Sequence, residues 1–422
     1  MKTTALRIYG KMDLRLETFE LPPLREDEIL AEIVSDSICM SSYKAAKQGP
    51  DHKRVPNDIA EHPTILGHEF AGRIVEVGKK WQDRFQPGQK FSIQPALNYK
   101  GSLDAPGYSY RYIGGDATYV IIPPEVMEMD CLLPYHGEAF FMASLSEPMS
   151  CIIGTVHAMY HIAPGDFVHE MGPKPNGASA ILAGAGPMGM GAIDYLIHGP
   201  YKPRLLVVTD IDQARLDRAA SILSPEDAKA NGVDLRYLNT RVDNPVELLL
   251  QQTEGNGFDD VYVFAPVAPV VEQADAILGR DGCLNFFAGP TDPNFSAKLN
   301  FYNVHYQGTH VVGTSGGRTA DMREALQLMG EGKINPAMMI THIGGLTAAR
   351  ETTLHLPEIP GGKKLIYTHL DLPLTAIEDF AEKGKENPLF RELAAICERN
   401  NGLWSLEAEQ YLLANAPRVN GE

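Results

Sequence analysis

The stretch Ala180-Ile181-Leu182-Ala183-Gly184-Ala185-Gly186-Pro187-Met188-Gly189 constrains the fold more than any other part of this chain. A short apolar strand runs into three glycines spaced as a dinucleotide turn, and a helix-like segment follows to about His198. In that arrangement Gly184 permits the tight turn, Gly186 lets the backbone approach a pyrophosphate, and Gly189 lets helix and strand pack closely. The helix start, entered through Pro187 and Met188, then offers free N–H groups to phosphate. The next apolar strand, Leu205-Leu206-Val207-Val208-Thr209-Asp210, ends in a carboxylate suited to an unmodified ribose diol. Asp210, with Asp212 nearby, would repel a 2′-phosphate, so NAD is expected over NADP. Arg215 is a candidate to lie over the adenine face.

Asp260–Phe264, Cys283–Phe287 and His310–Gly313 continue the strand–helix alternation. Continuous apolar strands alternating with helices predict an α/β fold with a doubly wound parallel sheet, placed over residues 163–317. The pattern changes near Pro164-Gly165. Before it, Ala31–Val34, Gly72–Val77 and Thr118–Ile122 read as short strands punctuated by Pro and Gly, which predicts an antiparallel, barrel-like domain. The strand Lys363–Tyr367 is expected to return to that domain, giving it residues 1–162 and 318–422. The stretch from Asp371 onward reads as mostly helical.

A chain of 422 residues exceeds one ordinary core and suits two domains. Its formal net charge of −17 argues against a nucleic-acid partner, while leaving room for a local basic pocket. Five scattered cysteines without a Cys-x-x-Cys pair suit a reducing compartment. The first residues lack the apolar run of a signal peptide, and no stretch reaches the ~18 apolar residues of a spanning helix. The expectation is a cytoplasmic protein acting on a small molecule, without a membrane partner.

A second constellation lies upstream. Cys39, in Asp36-Ser37-Ile38-Cys39-Met40-Ser41-Ser42, precedes the phrase Gly67-His68-Glu69-Phe70-Ala71-Gly72. Thiolate and imidazole are donors that zinc prefers, and Glu69 adds a carboxylate beside them. A catalytic zinc usually takes three protein ligands and keeps one position open. Glu147, in Leu145-Ser146-Glu147-Pro148-Met149-Ser150, is the candidate third ligand, and Cys151 is the alternative. A Lewis acid together with a nicotinamide points to hydride transfer at a carbonyl carbon.

These phrases, with Pro87-Gly88-Gln89-Lys90, Glu147-Pro148 and Ile340-Thr341-His342, resemble the medium-chain zinc-dependent alcohol and polyol dehydrogenases over residues 1 to about 370. The resemblance implies a GroES-like barrel domain and a Rossmann domain. It implies zinc on Cys39, His68 and Glu147, with Glu69 an exchangeable carboxylate and Ser41 passing the alcohol proton. Lys44 stands where the family often has histidine in the outer proton relay. The four closely spaced cysteines of a structural zinc are missing from residues 94–116, so one zinc per chain is expected. Family members form homodimers or homotetramers through the nucleotide-domain edge, and the cleft is expected between the domains.

His342-Ile343-Gly344-Gly345-Leu346 and Ile359-Pro360-Gly361-Gly362-Lys363-Lys364-Leu365-Ile366-Tyr367 resemble the narrower group of bacterial L-sorbose 1-phosphate reductases. That resemblance implies a sugar-phosphate ketose or polyol as substrate, such as L-sorbose 1-phosphate and D-glucitol 6-phosphate. Lys44, Lys53 and Arg54, from or beside the extended loop 49–63, are the candidate phosphate-binding cations. The alternatives are a dehydrogenase of an unphosphorylated polyol or secondary alcohol, a zinc-free reductase of the same superfamily, and a binding protein that kept the NAD site without catalysis.

Overall fold

The computed structural model describes residues 1–163, 165–290 and 292–419. Pro164, half of the composition change noted above, and residues 420–422 lie outside them. The chain forms two compact units: residues 1–147, 318–331 and 336–422 in one, and 148–317 with 332–335 in the other. The units part after Glu147, upstream of the 162/163 junction read from the sequence, and again after Gly317.

The first unit is built on the long strand Ile29–Ile38. It pairs antiparallel with Phe70–Val77, Tyr119–Ile122 and Lys363–Tyr367. Alternation puts Ile29, Ala31 and Ile33 into a common core with Phe70, Ile74, Phe91, Val120 and Ile122. The late strand Lys363–Tyr367 therefore does return to this unit, as expected. The sheet is not wholly antiparallel, because Ile340–Gly345 runs parallel to Lys363–Tyr367. The hairpin Lys2–Gly10 with Asp13–Glu20, not read from the sequence, forms a separate sheet with Thr64–Ile65.

The tail beyond Asp371 is mainly helical, with helices Phe380–Lys383, Pro388–Arg399 and Leu406–Asn415. It belongs to the first unit's core. Glu409, 1% exposed, accepts the backbone N–H groups of Phe140 and Phe141 at 2.7 and 2.8 Å and the Tyr367 hydroxyl at 2.8 Å. Trp404 donates to that same hydroxyl at 2.8 Å.

The second unit carries six parallel strands: Ala178–Leu182, Leu205–Asp210, Asp234–Asn239, Phe258–Val263, Leu278–Phe286 and His310–Gly313. In space they run third, second, first, fourth, fifth, sixth, the doubly wound order with its reversal beside Ala178–Leu182. The first two strands are fully buried, which explains their unbroken apolar runs. The third strand, Asp234–Asn239, was missed because it sits at the edge, half-exposed, and its sequence mixes charged and apolar residues. Among the described residues no helix is long and apolar enough to cross a membrane.

Candidate active site

Three neighbouring strand ends of the first unit bring the metal donors together. Cys39 directly follows Ile29–Ile38, Glu69 directly precedes Phe70–Val77, and Lys363 opens Lys363–Tyr367. Antiparallel pairing places the end of the central strand beside the starts of both partners. A ladder bond from the Ser37 N–H to the Glu69 carbonyl, 3.0 Å, locks the register there. Gly67 adopts φ +92°, and a Cβ on it would come within 2.6 Å of the Asp116 nitrogen. This position demands glycine, and the turn it makes delivers His68 inward.

One donor atom each from Cys39, His68 and Glu69 lie within 4.8 Å of one another. Their chemistry fits a zinc ion. Cys39 is the N-cap of helix Met40–Gln48, where the helix dipole favours a thiolate. Against that, burial pushes its thiol up to about 12, with the Glu69 charge adding to the effect. A divalent cation would reverse this and bind the thiolate. His68 is 4% exposed, and burial lowers its pKa to about 4, so its ring is neutral at pH 7 and available as a ligand. Its Nδ1 lies 3.4 Å from the Ser42 hydroxyl.

Glu69 is held differently from the other two. Lys363 Nζ donates to both its oxygens, at 2.6 and 2.7 Å, inside a buried pair. Burial alone would raise Glu69, but Lys363 and His68 outweigh it and keep the group ionised.

Glu147, the expected third ligand, lies in the first turn of helix Ser146–His157 and stands outside the 4.8 Å group. Its charge still reaches Cys39, Tyr108 and Lys363 and raises all three. Cys151 is also outside the group and lies in the second unit. The Ser41 hydroxyl lies 3.3 Å from Cys39 Sγ. Lys44 is half-buried and acts on His52 through its charge. Lys53 is exposed, whereas Arg54 is half-buried.

Sequence reasoning missed Tyr108. Its hydroxyl lies 3.2 Å from His68 Nε2, and its ring is 4.8 Å from the His68 ring. It sits in residues 94–116, a segment read only for its missing cysteines. The available signal was Gly107, whose hydrogen faces the Gly67 carbonyl where a Cβ would come within 2.0 Å. Lys363 was read only as part of a strand, although a lysine in an apolar strand implies a buried acid partner.

In the second unit the glycine turn forms as expected, with one correction. The left-handed residue is Ala183, φ 54°, and not Gly184. Gly184 is needed for space, since a Cβ there would come within 2.6 Å of Ile181 Cγ2. A Cβ on Gly189 would come within 2.1 Å of the Gly184 carbonyl oxygen, the close helix–strand approach anticipated for it. Around Gly186 a Cβ would meet nothing within 4 Å, which leaves a cradle open for a pyrophosphate. Helix Pro187–His198 begins there with no side-chain cap, so the N–H groups of Met188 and Gly189 face that opening. Asp210 Oδ1 accepts the N–H groups of Ile211 and Asp212, at 2.8 and 3.0 Å, leaving Oδ2 for a ligand. Asp212 caps helix Gln213–Ile222 and pairs with Arg215 at 3.7 Å.

Comparison with known proteins adds to this geometry. Residues 25–130 match the alcohol dehydrogenase GroES-like domain and residues 187–331 the zinc-binding dehydrogenase domain. The chain is 55% identical over 413 residues to mannitol-1-phosphate 5-dehydrogenase of Aliivibrio fischeri, covering 98% of this chain and 97% of that one. It is 52% identical over 417 residues to L-sorbose 1-phosphate reductase of Klebsiella pneumoniae, covering 99% and 98%. Among solved structures, 2R,3R-butanediol dehydrogenase from Bacillus subtilis superposes with a TM-score of 0.67 at 20% identity, over 86% of this chain and 99% of that one. That last match speaks to the fold alone.

Proposed function

The chain belongs to the zinc-binding dehydrogenase family, and on that premise we propose that it transfers hydride between NAD(H) and a phosphorylated ketose or polyol. In the oxidative direction a secondary alcohol loses a hydride to the nicotinamide and a proton to the protein, leaving a ketone. When bound, zinc supplies a Lewis acid at the substrate oxygen and NAD(H) the hydride donor or acceptor. Cys39 and His68 would hold the metal, with Glu147 as the third ligand or Glu69 in its place, and Lys363 keeps Glu69 ionised. Ser41 takes the alcohol proton, with Lys44 as the outer member of the relay. Asp210 favours NAD over NADP, Arg215 covers the adenine, and Gly184, Gly186, Pro187, Met188 and Gly189 receive the pyrophosphate. We further propose one zinc per chain, a cytoplasmic location, and a homodimer or homotetramer.

The observation that carries this reading is the Cys39–His68–Glu69 donor group in a chain similar along its whole length to two sugar-phosphate oxidoreductases. The test is a panel assay of NADH absorbance with L-sorbose 1-phosphate, fructose phosphates, sorbitol and simple alcohols, with and without a chelator. Chelator-sensitive turnover of a phosphorylated ketose is expected, with about one zinc per chain by elemental analysis. Metal-free protein with full turnover would favour the zinc-free reductase.

A further inference from the structure

Two segments outside the donor group converge on Tyr108. From the loop 49–63 comes His52, whose ring lies parallel to Tyr108 with centroids 5.6 Å apart. From the same loop comes Arg54, whose Cζ is also 5.6 Å from the Tyr108 ring. The backbone of Arg54 is pinned at two points. Its carbonyl accepts Ser109 Oγ at 2.6 Å, and its N–H donates to His52 Nδ1 at 3.3 Å.

The Arg54 side chain is not satisfied in the same way. Its Nε is buried without a hydrogen-bond partner, and no carboxylate pairs with it among the described residues. A guanidinium Nε–H buried without an acceptor is costly. In a chain of net charge −17, acid partners are plentiful elsewhere. The positive field is also concentrated here. After burial, Arg54, Lys53 and Lys44 together lower the pKa of His52. The Arg54 charge reaches His68 and Tyr108 as well. A cation without an acid, beside a metal-donor group, is a site completed by an anion that arrives with the substrate.

Resting on the function proposed above, we infer that Arg54, seated on Tyr108, is the residue that receives the substrate's phosphate. Its planar fork matches two phosphate oxygens at once. His52 and Tyr108 hold the guanidinium in place, Lys44 adds field, and exposed Lys53 steers without making the selective contact. Tyr108 then joins both ends of the substrate site, with its hydroxyl at His68 and its ring under Arg54.

The test compares wild type, Arg54→Ala and Arg54→Lys as zinc-loaded enzyme. One measurement is the ratio of kcat/KM for L-sorbose 1-phosphate to that for L-sorbose. The other is calorimetric titration with inorganic phosphate at saturating NADH, which keeps phosphate off the dinucleotide site. Arg54→Ala should lower the ratio about 10- to 100-fold, mainly through KM, and abolish the phosphate heat. Arg54→Lys should keep part of both. Zinc content and NADH binding of each variant report that it folds. A wild type active on the sugar phosphate whose preference survives Arg54→Ala overturns the site and leaves the proposed function standing. Phosphate heat that depends on Arg54, in an enzyme that turns over no sugar phosphate, supports the site and sinks the function.

Discussion

At the scale of single residues, the most consequential contact is the ion pair between Lys363 and Glu69. Both groups are buried, so removing one strands the other in a medium that cannot solvate it. Lys363→Met is expected to cost about 3–5 kcal/mol in urea melts of the apo protein. Cys39→Ser should remove zinc and turnover together, read by elemental analysis and the NADH assay; full zinc with full turnover would refute the ligand assignment. A second buried pair sits nearby. Asp36 and Asp116 face each other with no donor on any of their four carboxyl oxygens, and burial pushes Asp116 up to about 7. Such a pair retains a proton that the unfolded chain would release. Its contribution is therefore present below pH 4 and lost as pH rises towards 7. Asp116→Asn should flatten the fall in melting temperature between pH 5 and pH 7.5, and an unchanged slope would count against a shared proton. The sequence showed Cys39 and His68 because zinc chemistry and local spacing point to them. It did not show Asp116, whose role arises only when distant segments meet, and it signalled Tyr108 and Lys363 only indirectly, through Gly107 and through a lysine in an apolar strand.

At the scale of elements, the glycine turn separates two requirements that look alike in the sequence. Gly189 has a backbone oxygen where its Cβ would go, whereas Gly186 faces open space. Gly189→Ala should therefore destabilise the second unit, while Gly186→Ala should fold normally. NADH fluorescence titration of Gly186→Ala should show about tenfold weaker binding or more, a loss of roughly 1.4 kcal/mol. Ala183 pays a conformational penalty at φ 54°, and Ala183→Gly should raise stability by about 0.5–1 kcal/mol in denaturant melts. The buried parallel strands were legible because both their faces are apolar. The edge strand Asp234–Asn239 and the strand Asp13–Glu20 were not, since solvent on one side dilutes the pattern that identifies a strand, and Lys2–Gly10 was not because Thr3, Thr4 and Arg7 interrupt its apolar run.

At the scale of the whole molecule, the last strand of the parallel sheet, His310–Gly313, is an open edge with Val311 44% exposed, and Phe301, Tyr302 and Tyr306 are exposed just upstream. If the chain pairs with a second copy through this edge, Val311→Arg should halve the mass measured by light scattering; an unchanged mass would place the interface elsewhere. The tail helices are tied in by Glu409, and Glu409→Ala should cost about 2–4 kcal/mol by leaving three buried donors unmet. The ion pair at the metal site has a further effect on how the chain is made. Lys363 follows Glu69 by 294 positions, so a ribosome releases the acid long before its neutralising base. The inserted second unit emerges in that interval and is free to fold first, while the first unit waits half-formed with an uncompensated acid. Completion of the first unit's sheet, which needs Lys363–Tyr367 beside Ile29–Ile38, is thereby a late event in the life of the nascent chain.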